Sequence, residues 1–223
     1  MITQMSLMQS SENSRAPLLQ LHEVGFQYPQ RCLFAGLSAH IASGLVLVRG
    51  GDGSGKTTLL RLLAGELPLQ TGQVRLNGLC VATQTLLYRQ HVYWTEPHTA
   101  DHDQITALQY FAQLRQRYPG FAAADAPHLH TLISGLSLEP HIHKPLYMLS
   151  TGSKRKVWLA GALAAGAALT LLDVPFAALD KPSIGFVMQQ LCAAASNPAQ
   201  VWVLAAYEEP GNVPLAHVIN LGD

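Results

Sequence analysis

The run Gly50-Gly51-Asp52-Gly53-Ser54-Gly55-Lys56-Thr57 decides the reading of this chain. It satisfies G-x-x-x-x-G-K-[ST], the pattern of a phosphate-binding loop. Just before it, Leu45-Val46-Leu47-Val48-Arg49 is a short apolar run rich in β-formers and predicts a strand. Just after it, Leu59, Leu60, Leu62 and Leu63 recur at helical spacing. Strand, glycine loop and helix form the context the pattern requires. Glycines let the backbone take positive φ and approach an anion closely. Successive N–H groups then point at phosphate oxygens, at the positive end of the following helix. Lys56 would reach the β- and γ-phosphates, and Thr57 would offer its hydroxyl to Mg²⁺. Gly50, Gly51, Asp52, Gly53, Ser54, Gly55, Lys56, Thr57 and Thr58 are therefore the predicted nucleotide-binding positions. The plain alternative is a glycine-rich turn that caps a helix.

Composition narrows the class. The 223 residues suffice for one large or two small domains, and 48% apolar content supports a real core. A formal net charge of zero argues against a nucleic-acid partner held by a strongly basic surface. Cys32, Cys80 and Cys192 are widely spaced, suggest neither a disulfide framework nor a zinc site, and fit a reducing cytosol. Residues 1–16 are polar and predict a mobile tail, with Met5 or Met8 as alternative starts. The uncharged stretch Val157–Leu172 has 16 residues, short of the roughly 18 to 20 a spanning helix needs. A buried helix, a turn near Gly166 and a buried strand fit it better, so no direct membrane insertion is expected.

Outward from the loop, Leu18–Tyr28 and Leu33–Ile41 predict two strands joined by a turn at Pro29-Gln30-Arg31. The helix after the loop ends at Gly65-Glu66-Leu67-Pro68. Gln73–Gly78 reads as a strand entering a turn, and His91–Thr95 as a short strand. From Glu96 to Met148 helical spacing takes over (Ile105, Leu108, Phe111, Leu114), which predicts a small helical insertion. Leu169–Asp173 predicts a buried strand, Pro182–Ala195 a helix, Val201–Ala205 another strand and Val218–Leu221 a last one. Strands alternating with helices imply an α/β fold.

Further motifs stand in order along the chain. Tyr28 lies ahead of the loop. Leu149-Ser150-Thr151-Gly152-Ser153 opens a helix, Leu169–Asp173 is followed by Pro175, and Ala178-Leu179-Asp180 comes next. With these the chain, from about Leu18 onward, resembles the nucleotide-binding subunit of ATP-binding cassette (ABC) transporters. Within them it is similar to the small stand-alone type found in haem exporters of cytochrome c maturation. The resemblance implies an α/β P-loop ATPase with an antiparallel β subdomain and a helical insertion. It implies one domain over 17–223, with 17–95 and 149–223 as nucleotide-binding core and 96–148 as helical subdomain.

The resemblance also assigns roles. Tyr28 takes the place of the aromatic that stacks on adenine, although a core aromatic is an equal reading. Asp173 would hold Mg²⁺, directly or through water. Ser150 and Gly152, at a helix start, would face the γ-phosphate bound by a second subunit, and Asp180 belongs to the D-loop. ATP and Mg²⁺ are the implied cofactors. A transmembrane permease and a second ABC ATPase, as homodimer or heterodimer, are the implied partners. The implied location is cytoplasmic, peripheral on the inner face of the cell membrane.

The chain departs from the family pattern at informative places. Val174 stands where the family carries its catalytic glutamate, and an apolar side chain cannot orient or deprotonate water. Tyr207 stands at the switch histidine. Glu96 aligns with the glutamine that serves Mg²⁺ and water, and Thr151 and Ser153 replace signature Gly and Gln. The expected catalytic set is thus Lys56, Asp173 and Glu96 with the altered positions Val174 and Tyr207, and Thr57, Asp173 and Glu96 are the expected metal ligands. These substitutions predict ATP binding with slow hydrolysis in a transporter subunit. The alternative is a catalytically degenerate regulatory partner in a heterodimeric assembly.

Three other features have readings. His128, His130, His141 and His143 would pair on one strand face as a metal site does, or lie on a polar surface. Lys154-Arg155-Lys156 reads first as a solvated helix face, or else as a contact to phosphate or a partner. Trp94 and Phe111 would line a groove for the permease, or pack in the core.

Overall fold

A computed structural model describes residues 18–96, 99–123, 126–211 and 213–222; the predicted tail lies outside these. The chain begins with two long antiparallel strands, β1 (Leu19–Tyr28) and β2 (Arg31–Ile41). Then come β3 (Gly44–Arg49), α1 (Lys56–Leu63), β4 (Thr71–Leu76), β5 (Leu79–Cys80), α2 (Thr85–Gln90) and β6 (Val92–Trp94). Helices α3 (Ala107–Arg117), α4 (Pro119–Ala123) and α5 (Ala126–Gly135) follow, then a 3₁₀ turn at Leu146–Met148. The chain closes with α6 (Thr151–Ala165), β7 (Leu169–Asp173), α7 (Lys181–Ala195), β8 (Val201–Ala206) and β9 (Leu215–Asn220). Two short elements, β5 and α2, have no counterpart in the sequence reading. The two-residue β5 shows no periodicity, and α2 starts without a side-chain cap.

The strands form two sheets. β2-β1-β4-β5 is antiparallel, and β6-β7-β8-β3-β9 is parallel throughout. Parallel strands covered on both faces read as near-continuous apolar runs, and β3, β8 and, apart from the buried Thr170, β7 up to Leu172 do. Alternation at period 2 then divides the core in two. Val46, Val48, Leu169, Leu171, Val201, Val203 and Ala205 face a layer around α1 and the antiparallel sheet. Leu45, Leu172, Trp202 and Leu204 face a layer around α6, α7 and the inserted helices. Val157–Leu172 becomes the buried half of α6, a left-handed Gly166 (φ +62°) and strand β7. No helix among the described residues is long and apolar enough to cross a membrane.

The inserted helices are fastened to the core by buried phenols. Tyr93 Oη, in the middle of β6, donates to the Trp158 carbonyl of α6 at 2.9 Å and lies 2.9 Å from Tyr110 Oη of α3. Tyr118 Oη donates to the Val92 carbonyl at 2.8 Å. Burial pushes Tyr93 and Tyr110 above the ordinary phenol range and Tyr118 up to about 12, so all three stay neutral donors. Tyr93→Phe is therefore expected to lower unfolding free energy by about 1–2 kcal/mol, measured as a lower urea midpoint at unchanged slope.

Candidate nucleotide site

The glycine loop hangs from the C-terminal end of β3, an inner strand of the parallel sheet between β8 and β9, and ligands of such sheets bind at the strands' C-terminal ends. Gly53 (φ +71°) and Gly55 (φ +102°) adopt left-handed backbone, which a side chain would resist. A Cβ on Gly50 would stand 2.3 Å from Ser54 Oγ and 2.9 Å from the Gly222 carbonyl. The loop is thus wound too tightly for side chains at these points. Lys56, Thr57 and Thr58 open α1, where backbone N–H groups lack intrahelical acceptors. Among the described residues no loop carbonyl takes them.

Lys56 is 7% exposed, and its ammonium donates to the Gly50 and Gly51 carbonyls, each at 2.7 Å. Thr57 Oγ1 donates to Asp173 Oδ2 at 2.6 Å. That bond joins the start of α1 to the tip of β7 across 116 residues of sequence. Asp173 Oδ1 is buried without a partner. A buried unpaired carboxylate oxygen calls for a donor or a cation, and a hydroxyl with a carboxylate is the hard oxygen set Mg²⁺ takes. The residues present therefore fit the expected metal. Tyr28, 45% exposed, stands on the rim of the same cleft, with its ring nearly perpendicular to that of Phe26 at 5.1 Å and its hydroxyl 3.4 Å from Thr58 Oγ1. Its ring is thus partly exposed at the cleft rather than buried in the core.

Val174 lines this cleft too. Its φ of +42° is an outlier for a β-branched residue. Its N–H donates to the Ala205 carbonyl at 3.0 Å, and its carbonyl accepts from the Arg155 guanidinium. Tyr207 does not point a free hydroxyl at the cradle: Oη donates to Asp52 Oδ1 at 2.5 Å. The Asp52 carboxylate holds that phenol above its ordinary range. The ring meanwhile lies 4.2 Å from the Lys56 ammonium.

Other expected residues fall elsewhere. Glu96 is exposed and lines a separate hollow with Glu66, Arg89 and Trp94, outside the cleft of Lys56 and Asp173. The reason is register. β6 ends at Trp94, opposite Leu171 of β7, so the sheet no longer positions residue 96 when the neighbouring strand reaches Asp173. Ser150 caps α6 by accepting from the Ser153 N–H at 3.1 Å. Gly152 packs so closely on the turn after β7 that its Cβ would stand 2.5 Å from the Ala178 carbonyl. Neither residue lines the cleft of its own chain. Asp180 caps α7, accepting from Ser183 N–H at 2.8 Å, and pairs with Lys156 at 2.6 Å. That lysine holds its carboxyl well below the usual range.

One sequence reading is corrected, and at two further places the structure decides between the alternatives, for a polar surface at the histidines and for core packing at Trp94 and Phe111. Lys154-Arg155-Lys156 is not a solvated face: Lys154 pairs with Asp103 at 2.5 Å, Lys156 with Asp180, and Arg155 is 8% exposed. His128 and His130 lie on helix α5, where residues two apart point to different sides, so no strand-type metal pair forms. Trp94 and Phe111 do not share a groove, since each packs against a different half of the core. Sequence reasoning also missed Arg31, which lines the nucleotide cleft beside Gly53. The sequence reading placed it in a turn, whereas it is the first residue of β2, and no motif marks it.

A cleft built on a phosphate loop, with a buried lysine and a hydroxyl–aspartate pair, defines a P-loop nucleotide hydrolase. The family model for ABC transporters matches residues 35–177, and the chain belongs to that family as an ATP-binding subunit. It is 34% identical over 194 residues to the cytochrome c biogenesis ATP-binding export protein CcmA of Rhodospirillum rubrum, spanning 84% of this chain and 80% of that one. It is 30% identical over 213 residues to the CcmA of Pseudomonas fluorescens, spanning 93% and 98%. The fold is shared with a putative ABC transporter ATP-binding protein from Pyrococcus furiosus, at TM-score 0.74 and 20% identity over 91% and 96% of the two chains. It is also shared with a dimeric ATP-binding cassette in a post-hydrolysis state bound to ADP and Pi, at TM-score 0.69 and 21% identity over 85% and 88%. The chain is therefore a CcmA-like ABC ATPase that binds ATP.

Proposed function

We propose that this subunit couples ATP binding, and slow hydrolysis, to a membrane permease in an export step of cytochrome c biogenesis. The observation that carries the ATPase part is the Thr57–Asp173 pair, with its one unpaired buried carboxylate oxygen, beside the Lys56 ammonium. Thr57 and Asp173 would hold Mg²⁺, which supplies charge neutralisation at the phosphates when bound. Lys56 and the first amides of α1 would hold phosphate oxygens. Tyr28 would stack on the adenine face. Val174 offers no base, so the attacking water is left without a side chain to orient it, and turnover is slow. Tyr207 would supply a neutral contact in place of a histidine.

Dimer formation is the second part of the proposal. Ser150 and Gly152 sit away from the cleft of their own chain. The helix start they form carries a positive end suited to the γ-phosphate held by a second subunit. That separation supports a head-to-tail dimer, peripheral on the inner face of the membrane beneath its permease. The export role rests on the names of the relatives.

The test is complementation. In a strain lacking this gene, covalent c-type haem is expected to fall to background, and the wild-type chain to restore it together with its own sedimentation in the membrane fraction. Lys56→Met is expected to sediment but not restore. Normal c-type haem in the deletion strain would overturn the export reading. Restoration only when an intact second ABC ATPase is supplied would favour the regulatory heterodimer.

A further inference from the structure

Arg155 is the unusual member of its basic triplet. It lies in the second turn of α6 and is 8% exposed, with Trp158, Leu172 and Pro175 around a small hollow that Arg155 and Asp173 share. A buried cation is costly unless it is paired and hydrogen-bonded. Burial pulls this guanidinium below its ordinary pKa, and the Asp173 charge acts the other way. Its hydrogen bond goes to a backbone carbonyl, that of Val174. Val174 is the residue held at positive φ directly after Asp173.

Two neighbouring contacts tie the same segments. Gly152 lies against the Ala178 carbonyl with no room for a Cβ, and Lys156 pairs with Asp180 at 2.6 Å. Residues 152, 155 and 156 of α6 thus grip 178, 174 and 180 respectively. The Lys156 pair has a half-exposed carboxylate, so it is the weaker kind of link. Among these three, Arg155 alone reaches the residue adjoining Asp173. A left-handed β-branched residue stays in place only when its surroundings over-determine it. A planar guanidinium fixed by burial does this better than a mobile ammonium.

We propose that Arg155 is a positioning residue for nucleotide turnover, locking the Val174 turn to the first turns of α6 so that the two nucleotide-facing parts of one chain respond as a single body. The proposal rests on the nucleotide-site reading above. Its consequence is that occupancy of the cleft by Lys56 and Asp173 is felt at Ser150 and Gly152, which do not line that cleft. Removing the guanidinium leaves the phosphate loop intact and breaks the transmission.

The test is amide hydrogen exchange of the full chain with and without Mg-ADP, followed in peptides over 50–58, 171–181 and 149–158. ADP slows exchange in all three in the wild type, by at least about threefold at saturation. In Arg155→Gln the 50–58 peptide keeps its slowing within about twofold, while slowing at 149–158 is lost. Arg155→Lys, which keeps the cation and one donor, falls between them; it carries the test by itself if the glutamine variant does not fold. Equal protection of 149–158 in the wild type and both variants would overturn the proposal, as would a wild type whose 149–158 peptide ignores ADP. If ADP fails to slow 50–58 in the wild type, the nucleotide reading falls, and the proposal with it.

Discussion

Val174→Glu is expected to raise steady-state Mg-ATP turnover at least about tenfold. The position already lines the nucleotide cleft, next to the Asp173 carboxylate. Its backbone is held at both ends, by the Ala205 carbonyl on its N–H and the Arg155 guanidinium on its carbonyl. The Cα–Cβ direction is therefore set by the frame rather than by the side chain. A positive φ of 42° disfavours a β-branched residue more than a straight-chain one, so glutamate relieves strain while adding a carboxylate. General-base catalysis contributes about 10²- to 10⁴-fold. The lower end is expected because Tyr207 is tied to Asp52 and stays neutral. Phosphate release from purified wild type and variant measures it. A wild type that already turns over at the variant's rate would sink the slow-hydrolysis proposal. Another group would then be orienting the water, and the exposed position of Glu96 outside the cleft leaves that residue poorly placed to do so.

Lys56→Met is expected to weaken ATP binding by about 10- to 100-fold, the range for loss of a charged hydrogen-bonding group. The side chain is buried, so its methylenes are replaced well in volume while the ammonium is lost. Two consequences follow. The Gly50 and Gly51 carbonyls lose their donor at 2.7 Å, and the loop carrying them loses its brace. The phosphates also lose the nearest fixed cation of the cradle. Titration with a fluorescent ATP analogue measures the change. Thermal melting without nucleotide separates it from unfolding: an equal affinity in both proteins would remove Lys56 from the binding site, whatever the melting points show.

Much of the architecture was legible because its signals are local. Apolar runs at β3, β7 and β8 show where a sheet is covered on both faces, and Gly65 with Pro68 marks the stop after α1. The glycine loop is legible because left-handed backbone and close anion approach leave little choice of residue at 53 and 55. The substitution at 174 is likewise a matter of chemistry at one position and needs no coordinates.

What the sequence by itself determined is the kind of site: a phosphate loop, an aspartate after an apolar strand, and the absence of a glutamate beside it. Only the tertiary structure decided which groups meet. It joined Thr57 to Asp173 and Tyr207 to Asp52, and kept Glu96 out. It also turned a basic triplet from an expected solvated face into three separate internal contacts, with Arg155 at the Val174 carbonyl. The physical reason is range. Propensity, capping and backbone sign act over a few residues, whereas these pairs span up to 155 positions and are set by sheet order and strand register.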